Sequence, residues 1–370
     1  MQEAIEMAAL SHPKPSVVLS PYFAKQLRKF TAISLVMLFT SLLAFVYLLP
    51  FGNMMTVALR DQESLAGGPD SPILPMKQMF YEYDDGQRVQ RLEVFEVPID
   101  GEVRQLAALT KRRTSVVFID PNNPSAEPIT WEGNWRALQP AYAFFARWEN
   151  FPEAWQMINF PLLFRNTFII AFVGMIGTLL SSISVAYAFA RFPIPGKNWL
   201  FIVLIGTIIL PGQVTLIPTY AFFTSIGWTG TWLPLIVPHF FANAYNVFLL
   251  RQFFMTLPRE LDEAAMIDGA GPFRILMHVI VPQSWAAIIT VGLFHFVWAW
   301  NDYFGPLIYL LGQPELQPIS VGVQLFNFRY APRPELVQAT SLMAMLLPII
   351  LFILAQRFFM RGVVITGVEK

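Results

Sequence analysis

The chain contains no cysteine. That excludes disulfides, thiolate nucleophiles and cysteine-ligated zinc or iron–sulfur centres. Charge is scarce as well: Asp, Glu, Lys and Arg make up 14% of the 370 residues, against about 25% in an ordinary soluble domain. A soluble protein of this size needs more charge to cover its surface. The 25 basic and 25 acidic residues cancel, so no bulk electrostatic attraction draws the chain to nucleic acid. A phosphate-binding loop is missing too. Such a loop requires G-x-x-x-x-G-K-[ST]. The nearest stretch, FPIPGKNW at Phe192–Trp199, follows Gly196 and Lys197 with Asn198 and has Arg191 where the first glycine belongs. No metal site and no cofactor are expected in this chain.

What fills the chain instead is hydrocarbon. Hydrophobic residues make up 55%, including 34 phenylalanines. A helix needs roughly 20 mostly apolar residues to cross a bilayer, and six runs qualify: Thr31–Leu49, Thr167–Phe189, Trp199–Phe223, Trp232–Leu250, Trp285–Leu311 and Leu336–Gln356. The fold expected is an all-α polytopic membrane protein with six transmembrane helices. Its parts are a tail at 1–30, a first helix at 31–55, an insertion at 56–162 and a five-helix core at 163–370. Lys and Arg concentrate in 1–30, 190–198, 251–284 and 357–370. By the positive-inside rule these segments, and both termini, are cytoplasmic, and the insertion is outside. The insertion reads differently from the rest. Turn signals (GGPD at 67–70, DDG at 84–86, IDG at 99–101, DPNNP at 120–124) separate the alternating runs Arg91–Val97, Val103–Leu109 and Thr114–Ile119, which predicts a small β-rich module. An aromatic stretch at 131–155 follows, read as a helical segment near the outer membrane surface.

Between the fourth and fifth runs lies ELDEAAMIDGAG at 260–271, a soluble-looking segment in a membrane chain. Thr256 is expected to cap a helix with Pro258 in its first turn. Glu260, Asp262 and Glu263 would lie at the positive end of the dipole, with Leu257, Leu261, Ala264 and Ala265 on one small face. Gly269 supplies the left-handed residue that ends a helix, and Gly271-Pro272 starts a second one that runs to Val281-Pro282.

The spacing of Glu263, Ala264, Ala265, Gly269 and Pro282 resembles the EAA-x3-G-x9-I-x-L-P loop of membrane subunits of binding-protein-dependent ABC importers. Val279 and Val281 replace the Ile and Leu of that pattern. WAWNDYFGPLIYL at 298–310, AQRFFMRG at 355–362 and GVVITGVEK at 362–370 extend the likeness to the smaller permease subunit of the maltose-type carbohydrate importers. The resemblance covers 165–370 and is silent on the insertion. It implies that Glu263–Gly269 of the coupling loop at 256–284 docks on an ATP-binding subunit, that Gly362–Lys370 of the tail at 357–370 reaches between two such subunits, and that Gln313–Glu335 probes an extracytoplasmic substrate-binding protein. It also implies a second permease subunit as partner, with ATP bound by the partner ATPase pair. Within the spans, Asn243, Asn246, Asn301 and Asp302 are candidates for a translocation path, since polar groups in spans face a cavity or a partner. Interhelical hydrogen bonding is the other reading of these residues. A proton-coupled secondary carrier or channel, with Asp302 and His295 as relay, is the alternative function; it would bring inverted repeats with paired broken helices, and no such symmetry is visible.

Overall fold

The computed structural model describes residues 21–66, 72–84, 88–99, 101–328 and 332–364. The turn signal at 67–70, most of 84–86 and the last six residues of the tail lie outside the described residues. Two compact units are present, Met1–Asn53 and Met54–Lys370. Helix α1 (Pro21–Ala58) begins in the first. It contains the first apolar run and is apolar on all sides, as befits a helix surrounded by acyl chains rather than water.

The β-rich region precedes the second long apolar helix. Its strands are β1 (Met76–Gln78), β2 (Phe80–Asp84), β3 (Val89–Ile99), β4 (Glu102–Lys111), β5 (Ser115–Ile119), β6 (Ile129–Glu132), β7 (Gln139–Pro140) and β8 (Tyr142–Phe144). An antiparallel meander runs β2-β3-β4-β5-β6, β7 pairs with β3, and β1 pairs with β8 in a separate ribbon. Alternation along β3 explains why both sheet faces are covered. Leu92 and Val94 pack on one side with Ala107 and Ala141, while Phe95 and Val97 pack on the other with Leu106, Ala108 and Phe118. The three predicted strands are present; the first two are longer than expected, and the third begins one residue later, at Ser115. The aromatic stretch at 131–155 is not one helical segment: it contributes to β6, β7 and β8, holds a 3-10 turn at Trp135–Ala137, and becomes α-helical at α2 (Asn150–Met157). The strand partners of Gln139–Phe144 decide this against local propensity.

Helix α3 (Phe160–Arg191) is the spine of the membrane core. It packs against α7 (Ala244–Thr256), α10 (Trp285–Trp300) and the segments between them. α12 (Pro334–Val364) closes the other side, where Phe160, Leu163 and Ala171 meet Phe296, Trp300, Leu336 and Ala339. Among the described residues, four helices are long and apolar enough to cross a membrane: Lys25–Ala58, Phe160–Arg191, Leu233–Thr256 and Pro334–Phe358. Two bent pairs raise the number to six if each counts as one span.

Three of the expected spans are broken into shorter helices. The third run divides into α4 (Lys197–Ile209) and α5 (Gly212–Ser225), inclined at 98°, because Pro211 removes a backbone donor at the joint. The fourth run is α6 (Leu233–Ile236), a 3-10 turn Val237–Phe240 and then α7. The fifth stops at Trp300, and a short α11 (Phe304–Tyr309) follows. Asn301 and Asp302 therefore lie in the break between α10 and α11 rather than within a continuous span. α12 continues through Val364, so the first part of the expected tail is helical.

The β-rich region is joined to the membrane core by buried polar links. Asn150, fully buried, donates to the carbonyls of Ala58 and Arg60, each at 2.8 Å. Arg333 reaches Glu153 at 2.9 Å and also binds Glu335, whose carboxylate is fully buried. Replacing Asn150 with Ala strands two carbonyls and should cost about 1–3 kcal/mol. A thermal melt of the detergent-solubilised protein checks this, with Asn150→Ala melting clearly below the parent.

Candidate functional site

The segment between α7 and α10 forms two short helices. α8 (Glu260–Ile267) is followed by α9 (Pro272–Ile275), which continues as a π-helical stretch Leu276–Ile280 and a last turn Val281–Gln283. This second helix meets α10 at 84°, at the point where Pro282 has no N–H to give. Thr256 does not cap α8. It is the last residue of α7 and its hydroxyl donates back to the Phe253 carbonyl, because the chain turns extended at Leu257 before α8 begins.

Gly269 behaves as the sequence predicts. Its φ is +79°. Gly269 N–H donates to Met266 O and Ala270 N–H donates to Ala265 O at 2.9 Å, the paired closure of a Schellman end. Glu263 and Ala264 are exposed, Ala265 is half-buried and packs on the core, and Pro282 is exposed beside the bend. Apolar side chains stand exposed on the loop among its charges: Met266, Ile267 and Phe273, with Ile267 at 87%.

Asp262 departs from expectation. It is buried, and its Oδ2 lies 2.8 Å from Arg191 Nε at the end of α3. A second guanidinium nitrogen of Arg191 donates to the Leu257 carbonyl at 3.0 Å. Burial pushes the Asp262 carboxyl up from its ordinary value, and the Arg191 and Arg259 guanidiniums pull it back. Sequence reasoning counted Arg191 only as a loop charge. The signal available was a lone cation ending a 32-residue apolar helix opposite an acidic turn.

The path candidates separate into two places. Asn243 and Asn246 line a cavity of about 650 Å³ together with Tyr245, His239, His295 and Trp298. Asn243 also caps α7, its side-chain oxygen accepting from Tyr245 N and Asn246 N. The imidazoles of His239 and His295 stand edge to face at 4.6 Å. Thr178 Oγ1 lies 3.2 Å from His295 Nδ1, and Ser181 donates to the His239 carbonyl. Glycines on α3 make room for this turn: a Cβ at Gly177 would stand 2.5 Å from the Phe240 ring, and one at Gly174 3.1 Å from His239. Asn301 lines a different cavity of about 460 Å³ with Ser320 and Gln324, and donates to the Val297 carbonyl. Asp302 accepts from Gly305 N–H at 3.2 Å and serves as a backbone cap. It is not among the residues around His295, so the pair expected of a proton relay is not assembled there. Among the described residues no cluster of three or more His, Asp or Glu is placed to hold a metal.

Residues 177–364 match the family described as binding-protein-dependent transport system inner membrane component, just over half of the chain. The sn-glycerol-3-phosphate transport system permease protein UgpE of Agrobacterium fabrum is 34% identical over 56% of this chain and 74% of its own length. The osmoprotective compounds uptake permease protein GgtD of Synechocystis sp. is 28% identical over 74% of this chain and 93% of its own length. Among solved structures, a chain of a bacterial ABC transporter involved in the import of the acidic polysaccharide alginate superposes with a TM-score of 0.61 at 17% identity, covering 92% of this chain and 100% of that one. The chain therefore belongs to the family of inner-membrane components of binding-protein-dependent transport systems. It is a multi-pass permease subunit of an ABC importer, and in such systems ATP is bound by partner subunits.

A valine at Gly269 would have to hold the left-handed backbone of the Schellman end, a strain of order 1–2 kcal/mol. Arg259 and Arg274 are exposed on either side. Gly269→Val should accelerate tryptic cleavage after both, while Gly269→Asn, which tolerates that conformation better, stays close to the parent; a time course on gels reads the difference.

Proposed function

We propose that the chain is one half of a permease heterodimer importing a sugar, oligosaccharide or related polyhydroxylated solute. α8 docks in an ATP-binding subunit, a pair of such subunits drives the cycle, and an extracytoplasmic binding protein delivers the solute. The carrying observation is the form of the 260–282 segment. Its EAA residues lie on a short helix closed by a Schellman turn at Gly269, and the apolar side chains of Met266, Ile267 and Phe273 are exposed. In this reading Glu263, Ala264 and Gly269 belong to the docking surface and its rigid end. The uptake systems of the relatives for glycerol phosphate and osmoprotective compounds support a polyhydroxylated cargo. Asn243 and Asn246 border the path, with the Trp298 face beside them. Asn301 and Asp302 are proposed here for the integrity of the broken fifth span rather than for the path.

The proposal includes topology: six spans, with 1–30, 190–198, 251–284 and 357–370 cytoplasmic and the β-rich region at 56–162 outside. The cysteine-free chain allows a direct test. An impermeant thiol reagent added to intact cells should label Arg112→Cys and leave Ile267→Cys unlabelled until the membrane is opened; the reverse pattern would overturn the orientation. Affinity purification of the chain should bring down an ATP-binding subunit, a second permease and a binding protein. Calorimetric titration of that binding protein with sugars, polyols and amino acids tests the cargo class, and selective binding of an amino acid would exclude it.

A further inference from the structure

One side chain touches three elements at the base of the membrane core. Arg191 is the last residue of α3. Its Nε meets Asp262 in the first turn of α8 at 2.8 Å, and its Nη2 meets the carbonyl of Leu257, the extended residue just after α7, at 3.0 Å. The two side chains of the ion pair are only 7% and 8% exposed. Three acidic residues occupy the first turn of α8, yet Glu260 and Glu263 face solvent and Asp262 alone turns inward. A buried ion pair is a poor way to gain stability, because desolvation offsets most of the attraction. Its better-attested use is to fix one register against alternatives. Here it fixes which way α8 faces. With Asp262 held inward, Glu263, Met266 and Ile267 are presented outward together.

The same helix continues to the cavity beside His239 and His295. α3 runs without a break from Phe160 to Arg191, and Gly174, Gly177 and Thr178 lie directly against His239, Phe240 and His295. From Arg191 to Gly174 is 17 residues, roughly 26 Å at 1.5 Å per residue. Around the joint the contacts are dense: Ala186, Tyr187 and Ala190 of α3 pack with Leu250 and Phe254 of α7 and with Ile275, Ile280 and Ile288. A displacement of α8 therefore has a short, stiff route to the cavity wall, from carboxylate to guanidinium to the α3 rod.

We propose that Arg191 is the positioning residue that ties the coupling helix to α3, and that the Arg191–Asp262 pair transmits ATP-driven movement of α8 to the cavity lined by His239 and His295. This rests on the reading of α8 as the ATPase-docking helix. Neither Arg191 nor Asp262 need touch nucleotide or cargo.

The test requires no knowledge of the cargo. Tyr245→Cys places a single thiol in the cavity, and the complex purified with its ATP-binding subunits is reconstituted into liposomes. Labelling by a small maleimide is measured without nucleotide and after trapping with MgATP and vanadate. In the otherwise native complex the two rates should differ at least about tenfold, within the range typical of allosteric coupling. Adding Arg191→Met or Asp262→Asn should shrink the difference to about twofold or less while the ATP-binding subunits still copurify. Arg191→Lys keeps the charge but not the fork that also holds Leu257, and should restore part of the response. A merely structural role would lower the yield of complex and leave the ratio of rates unchanged in the complexes that survive. That result in any of the three variants overturns the inference. If Arg191→Met fails to assemble, Asp262→Asn, which is isosteric, decides by the same ratio. A native complex that contains no ATP-binding subunit, or whose cavity labelling ignores ATP, overturns the docking reading and the inference with it.

Discussion

In a bilayer no water is available to an exposed backbone amide or carbonyl, so each must be satisfied within the protein. The broken spans of this chain are organised around that constraint. Where α6 gives way to α7, the Asn243 side chain accepts two backbone N–H groups and Ser181 donates to the His239 carbonyl. Where α10 ends, Asp302 accepts from Gly305 N–H and the Ser320 hydroxyl donates to the Asp302 carbonyl. Asn166 donates to the carbonyls of Glu315 and Gln317, Thr167 accepts from Ile319 N–H, and the indole of Trp232 donates to Leu316. Several polar residues that look like path residues in the sequence are thus engaged with backbone, and the cavity beside them is a consequence of the breaks they repair.

The long unbroken α3 is what allows the other spans to be broken. Small residues at Gly174 and Gly177 bring the 3-10 turn of the fourth span against it, and Arg191 gathers the ends of α7 and α8 at its far end. The cavity beside His239 and His295 and the helix pair of the EAA segment are both in contact with this one rod. α3 is the helix that touches the His239 turn at one point and both the end of α7 and the first turn of α8 at another.

The β-rich region stands apart in composition and in kinship. The family match begins at residue 177, whereas the structural match to the alginate transporter chain covers 92% of this chain and so reaches well before that point. The region is also held to the membrane core by more than chain continuity, through Asn150 and through the Glu153–Arg333–Glu335 group. The loop before α12, which the resemblance associates with a binding protein, is thereby linked to the base of the β-rich region.

Composition and pattern determined much of this protein without tertiary information. The apolar runs, the turn-punctuated β segments and the EAA spacing are local signals, as is the left-handed glycine at 269, whose φ follows from its place at a helix end. What the tertiary structure alone decided was direction and partnership. A run of 25 apolar residues does not say whether Pro211 kinks a helix or turns it through 98°, because the answer depends on which neighbours can satisfy the freed carbonyls. The faces of an eight-residue helix with three acids cannot be ranked from the sequence either. Asp262 turned inward because Arg191, 71 positions earlier, ends its own helix at the one place where a buried carboxylate finds a guanidinium, and pairing across that separation is a property of packing, not of local pattern.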